Sequence, residues 1–256
     1  MLFPPAALLL DFGGVLVESP HPQPPAPPAL VQRLHTLTRH TVTVDTIVTD
    51  ITDGAARYSR WRDETSHEQH PLEETHDRVW DDFVTRGWPQ PARAAVRREA
   101  ASLNYTWAWA DDWTVRDGIA EALHTATTAG IPMAVVSNAI SGAAHRDFLA
   151  SAGLGALFTA ELYSDEAGIR KPNPDLARRA ADAIDVPIAK CWFVGDMIDR
   201  DIACARRAGA GAAILMRSSR TARTRPTPDL EPDAVIDDGY GLLDLLYRSG
   251  LPPGKR

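Results

Sequence analysis

Four short pieces of this sequence carry residues whose types and settings could do chemistry on an anion. Asp11 follows the apolar run Ala6-Ala-Leu-Leu-Leu10 and precedes Gly13 and Gly14. Ser137 and Asn138 follow the run Ile131-Pro-Met-Ala-Val-Val136. Lys171 lies in Gly168-Ile-Arg-Lys-Pro-Asn-Pro174. Asp196 follows Cys191-Trp-Phe-Val-Gly195, with Asp201 five residues on. A carboxylate at a strand end, beside glycines whose backbone N–H groups let an anion come close, can attack phosphorus and form an acyl phosphate. Asp11 is placed to be that nucleophile. Attack by one anion on another is electrostatically opposed, so a divalent cation must bridge them. Mg²⁺ takes oxygen ligands, few carboxylates and several waters, which suits Asp11, the backbone carbonyl of Gly13, Asp196 and the phosphate itself.

The elements that must position these residues are legible as an alternation. The short apolar runs at 6–10, 131–136, 191–194, 212–216 and 234–236 each stop at polar or glycine residues, as strands buried on both faces of a parallel sheet do. Between them lie helical patterns at 117–129, opened by the carboxylate of Asp117 and closed by Gly130; at 173–184, opened by Asn173 and Pro174; at 201–208, closed by Gly209; and at 240–247. Strands alternating with helices predict an α/β fold with a Rossmann-like, doubly wound parallel sheet, whose ligands bind beyond the carboxyl ends of the strands.

The stretch from 20 to 110 reads differently. A proline-rich connector at 20–28 is followed by helical segments at about 29–38, 44–62, 73–86 and 91–102, with no strand alternation. This predicts an all-α insert, so the core is expected at 1–19 and 111–256 and the insert at 20–110. Six of the seven tryptophans fall in the insert or its return to the sheet. They are expected to fill a small helical core, with Trp107, Trp109 and Trp113 candidates for an aromatic wall over the site.

Taken in order, the four pieces resemble the haloacid dehalogenase superfamily, in the branch with a helical cap inserted between the first and second motifs. The resemblance implies that Ser137 hydrogen-bonds a phosphate oxygen, with Asn138 and the Gly13–Gly14 backbone helping to hold the substrate. It also implies that Lys171 neutralises charge between nucleophile and phosphate, and that Asp201 orients the ligands or waters of a Mg²⁺ held by Asp11, Gly13 and Asp196. Asp201 has a second reading as the N-cap of the helix that follows it.

One position departs from the family pattern. Phosphatases of the family usually carry an Asp two residues after the nucleophile, where it protonates the leaving oxygen and later activates water; here that position is Gly13. Three functions are therefore weighed. The first is a Mg²⁺-dependent phosphohydrolase acting on a small phosphorylated metabolite through an aspartyl phosphate on Asp11. The second is a 2-haloacid dehalogenase, and the third a catalytically silent binding or regulatory protein. Gly195-Asp196 with Asp201 is the metal-binding form of the fourth motif and favours the first. The absence of any lysine from 20 to 110 argues against a Schiff-base phosphonatase. Glu18 or a histidine of the insert such as His67 is a candidate for the missing acid.

Composition sets the remaining bounds. The 256 residues carry 27 Lys and Arg against 34 Asp and Glu, a formal net charge of −7, so no long-range positive field gathers nucleic acid or an anionic membrane. The early apolar run is far too short to cross a bilayer and has neither a basic leader nor a cleavage pattern, which predicts a cytoplasmic protein. Cys191 and Cys204 are expected as buried small hydrophobes. His67, His70 and His76 read as a solvated helix face, and the arginine-rich stretch at 217–225 as a solvated loop that lies on the site's side of the sheet.

Overall fold

The computed structural model describes residues 2–21, 24–221 and 228–251. Six parallel strands form the central sheet: β1 (Ala7–Leu10), β4 (Met133–Ser137), β5 (Ala160–Tyr163), β6 (Cys191–Gly195), β7 (Ala212–Met216) and β8 (Ala234–Ile236), in the order β5-β4-β1-β6-β7-β8. β1 is central, pairing Leu8 with Met133 on one side and with Trp192 on the other. Alternation along each strand feeds two apolar cores. Leu8, Leu10, Val135 and Val194 pack under α6 (Ile119–Thr128) and α11 (Gly239–Arg248), whereas Leu9, Val136 and Phe193 pack under α9 (Pro174–Ala183) and α10 (Ala203–Ala208). Helices on both faces make the sheet doubly wound, as the continuous apolar runs predict.

Residues 28–108 hold α1 (Pro28–Leu37), α2 (Val44–Thr65), α3 (His76–Arg78) running into a wide π turn at Val79–Val84, α4 (Gln90–Arg98) and α5 (Ala100–Ala108). Their apolar residues form a core of their own around Leu30, Ile47, Trp80 and Leu103. Trp80 and Trp88 are buried in it, with Trp61 and Trp107 packed against it. The chain leaves for this helical unit and returns from it along a two-stranded antiparallel ribbon, β2 (Val17–Glu18) with β3 (Thr114–Val115).

Several elements differ from the sequence expectation. β5 and α7 (Gly142–Ser151) were not anticipated: β5 carries the charged Glu161 inside a short run, and α7 alternates small and polar residues with little apolar periodicity. The helix expected to open at Asp117 is instead capped by Gly118 at φ +74°, with no side-chain cap. The segment expected at 91–102 splits into α4 and α5 at Glu99. α9 begins as read, with the Asn173 side chain accepting from the Asp175 amide at 3.1 Å. Both cysteines are free and buried. No described helix is long and apolar enough to cross a membrane. Residues 22–23 of the proline-rich connector and 222–225 of the arginine-rich stretch lie outside the described residues.

Candidate active site

β1, β4 and β6 end on the same side of the sheet, at the point where the chain's crossovers run in opposite directions from β1. That is where a doubly wound sheet opens a crevice. A pocket of about 520 Å³ lies there, lined among others by Asp11, Ser137, Lys171 and Asp201.

Lys171 is the centre of the arrangement. Its Nζ is fully buried and ion-paired to Asp11 Oδ1 at 2.8 Å and to Asp201 Oδ1 at 2.7 Å. Its main chain is clamped by Asn138, whose Oδ1 accepts from the Lys171 amide at 2.7 Å and whose Nδ2 donates to the Lys171 carbonyl at 2.9 Å. The Asn138 amide therefore holds the lysine loop against β4. Burial works against the charge on Lys171, but Asp11 and Asp201 outweigh it and hold the ammonium above its ordinary pKa. Burial likewise opposes the Asp11 charge, and Lys171 with Arg220 overcomes it, holding this carboxyl below the usual range. An ionised carboxylate beside a fixed cation is the result.

Asp201 is neither the N-cap of α10, a place taken by Ile202, nor exposed. It sits in a π turn at Ile198–Ile202, and its Oδ2 accepts from the amides of Asp196 and Met197 at 3.0 and 2.8 Å. The carboxylate thus closes the loop after β6 while its other oxygen faces Lys171. Burial pushes its pKa up to about 6, with Lys171 pulling the other way. Gly195 is required by this closure, since a Cβ there would lie 2.1 Å from the Asp201 Cβ. Asp199 is half-buried, accepting from Ser66 at 3.3 Å.

The glycines act differently from each other. The Gly14 amide donates to the Val17 carbonyl at 2.7 Å, which corrects the expectation that this N–H faces the substrate. Gly14 is needed for another reason: it has φ +77°, and a Cβ there would meet Asp196 Oδ2 at 2.2 Å. Gly13 has an ordinary φ and contributes its carbonyl to the site. Ser137 is buried at the end of β4 and lines the pocket.

Asp196 is fully buried; burial raises its pKa and Arg220 draws it back. Oxygens of Asp11, Asp196 and Asp201 lie within 4.8 Å of one another, forming the one metal-compatible group found among the described residues. Hard carboxylate oxygens joined by a carbonyl fit a Mg²⁺ ion in donor chemistry. His67, His70 and His76 form no such group. His76 pairs with Asp165 at 3.1 Å, and His70 contacts Asn173 at 3.4 Å.

Two residues were missed as site residues. Arg220, read as part of a solvated loop, places its Nε 2.9 Å from Asp196 Oδ2 and its Nη2 2.8 Å from Asp196 Oδ1, and Nη2 also donates to the Gly13 carbonyl. The signal available in sequence was only that this loop follows a strand's carboxyl end. His145 of α7 lies flat on Phe12, ring centroids 3.8 Å apart, and burial lowers its pKa to about 4. Of the tryptophans proposed as a wall, Trp113 alone lines this pocket. Glu18 lines it too, 3.5 Å from Arg116, whereas His67 does not.

The haloacid dehalogenase-like hydrolase family model matches residues 5–209. The phosphoserine phosphatase of Thermus thermophilus is 37% identical over 101 residues, 40% of each chain. The glyceraldehyde 3-phosphate phosphatase of Methanopyrus kandleri is 33% identical over 94 residues, 37% of this chain and 40% of that one. The matches thus span about two-fifths of the length of these curated relatives. Among solved structures, a HAD phosphatase from Thermococcus onnurineus aligns with a TM-score of 0.56 at 17% identity, covering 94% of this chain and 97% of its own. An L-2-haloacid dehalogenase aligns with a TM-score of 0.57 at 18% identity, covering 96% and 100%. At such identities the likeness is one of fold. The family match, by contrast, runs through every strand that delivers a carboxylate to the pocket, and by it this chain belongs to the haloacid dehalogenase-like hydrolases.

Proposed function

We propose that the protein is a Mg²⁺-dependent phosphohydrolase that turns over a small phosphorylated metabolite through an aspartyl phosphate on Asp11. The observation that carries this reading is the clustering of three buried carboxylates within 4.8 Å of one another against two cations, Lys171 on Asp11 and Asp201 and Arg220 on Asp196, because such an arrangement stays one positive charge short and is unfavourable unless more is held there. Displacing halide from carbon needs no such cluster, which favours phosphoryl transfer over the dehalogenase reading. Both named relatives being phosphatases supports the same choice.

In this reading an Asp11 oxygen attacks phosphorus and the bond to the leaving oxygen breaks; water then attacks phosphorus, releasing phosphate and restoring the carboxylate. Lys171 offsets charge as the first step proceeds, and the Ser137 hydroxyl donates to a phosphate oxygen. Asn138 keeps the lysine loop in register. Asp11, the Gly13 carbonyl and Asp196 would hold the ion, with Asp201 orienting its surroundings. When bound, Mg²⁺ supplies the charge that lets two anions approach. The helical unit at 20–110 acts as a cap, and its Arg62 lines the pocket beside the core's Arg200. With its pKa lowered to about 4, His145 is a neutral imidazole near pH 7 and has no imidazolium proton to give, so it does not replace the acid missing at Gly13.

The test is a panel of phosphate esters together with 2-chloropropionate, each assayed with Mg²⁺ and with excess EDTA. Phosphate release that requires Mg²⁺ is expected. Halide release that survives EDTA would overturn the reading in favour of the dehalogenase, and no turnover of either class would favour the silent binding protein.

A further inference from the structure

The oxygens assigned to the cation are already engaged by a cation of the chain. The Arg220 guanidinium donates to both oxygens of Asp196 and to the Gly13 carbonyl, and its Nη2 is 3.8 Å from Asp11 Oδ2. Those are the three groups that would ligate Mg²⁺. The segment bearing Arg220 is fastened to the same aspartate by its neighbours. Ser218 Oγ donates to Asp196 Oδ2, and Thr221 Oγ1 donates to the Asp196 carbonyl at 2.9 Å. The turn closes on itself, the Ser218 amide donating to Thr221 Oγ1 at 2.8 Å and the Arg220 amide to Ser218 Oγ at 3.0 Å. Three side chains within four residues therefore grip one buried aspartate, Ser218 and Arg220 by its carboxylate and Thr221 by its main-chain carbonyl.

Mg²⁺ demands oxygens at about 2.0–2.1 Å in near-octahedral array, and a guanidinium hydrogen-bonded to the same oxygens fills that space. The arginine brings one charge where the ion brings two, so three carboxylates facing Lys171 and Arg220 remain one charge short of neutral. The seat is satisfied in hydrogen bonding and incompletely satisfied in charge, which is the condition for an exchange.

We propose that Arg220 and the divalent cation exclude each other at Asp11, Gly13 and Asp196, so that the 218–221 segment gates metal loading and must swing outward for it. The proposal rests on the metal reading above and adds a competitor to it. Two states follow, one with arginine seated and one with metal seated, and the apparent metal affinity is lowered by the fraction of molecules in the first.

The experiment uses the full chain and Mn²⁺ as probe, with free Mn²⁺ read by electron paramagnetic resonance. Wild type is compared with Arg220→Gln, with Arg220→Lys, and with Arg217→Gln, a control whose side chain pairs with Asp237 away from the seat. Arg220→Gln is expected to bind Mn²⁺ about tenfold more tightly or better, Arg220→Lys by an intermediate factor, and Arg217→Gln like wild type. Saturating Mn²⁺ is expected to speed amide exchange at 218–221 in wild type. Melting temperature supplies an independent check: Arg220→Gln should melt below wild type in EDTA, and the gap should close in saturating Mn²⁺. Equal affinities in wild type and both Arg220 variants, with Asp196→Asn abolishing binding, would overturn the gate while leaving the metal reading intact. Absence of binding in all of them would overturn both.

Discussion

At the scale of single residues, the departure at Gly13 governs the chemistry. On the proposed reaction, with no acid at position 13, the leaving oxygen would depart largely unprotonated, so turnover should depend steeply on leaving-group pKa. Aryl and acyl phosphates are then expected to outrun alkyl phosphates by about 10²-fold or more. Equal rates on the two classes would show that another residue supplies the proton. The backbone at Gly13 accepts a side chain, and the nearest obstacle to a Cβ is the flexible end of Arg220 at 3.3 Å. Gly13→Asp is therefore expected to fold and to gain most on alkyl phosphates; a uniform loss on every substrate would contradict this. Asp11, Lys171 and Asp196 were legible in sequence because each ends a short apolar run or sits in a distinctive proline-flanked loop. Arg220 was not, because nothing local separates an arginine that turns inward from its neighbours that face water.

At the scale of elements, α7 shows where sequence legibility ended. Its small and polar residues give little helical periodicity, and its tolerance of burial comes from contacts that no local pattern records: His145 stacks on Phe12, with Trp113 and Tyr163 edge-on. The long strands and α9 were legible because period and capping agree there. The buried imidazole has a consequence for pH. Its pKa falls from 6.5 to about 4 on folding, so between those values the unfolded chain binds the proton and the folded chain does not. Stability tied to His145 is fully present above 6.5 and is lost as pH falls towards 4, amounting to about 2 kcal/mol by pH 5. Urea unfolding should show wild type losing that much more than His145→Phe between pH 7.5 and pH 5. Parallel losses in the two proteins would refute the assignment.

At the scale of the whole molecule, the helical unit and the core are clasped beside Asp11. Arg170, the residue before Lys171, is fully buried and points the other way. It donates to Thr65 Oγ1 at 2.8 Å and to the Arg62 carbonyl at 3.2 Å, stacks over Trp61, and lies 3.6 Å from Glu73. Glu73 in turn accepts from Tyr58 and from the core's Ser164. One dipeptide thus ties the helical unit to the core with its first side chain and Asp11 to Asp201 with its second. Arg170→Met leaves Glu73 buried without its cation, at an expected cost of about 3 kcal/mol, and should raise KM more than it lowers kcat as the helical unit loosens from the core. Unchanged unfolding and kinetics would show that the clasp contributes nothing. Everything proposed for the reaction depends on Asp11 itself carrying the phosphoryl group. Enzyme turning over an aryl phosphate with Mg²⁺ is quenched within the first turnovers, reduced with borohydride, and analysed by peptide mass spectrometry. Reduction of an acyl phosphate converts aspartate to homoserine, and the account predicts homoserine at position 11 in wild type and none in Asp11→Asn. Unmodified Asp11 in enzyme that has released a stoichiometric burst of the aryl alcohol would contradict it.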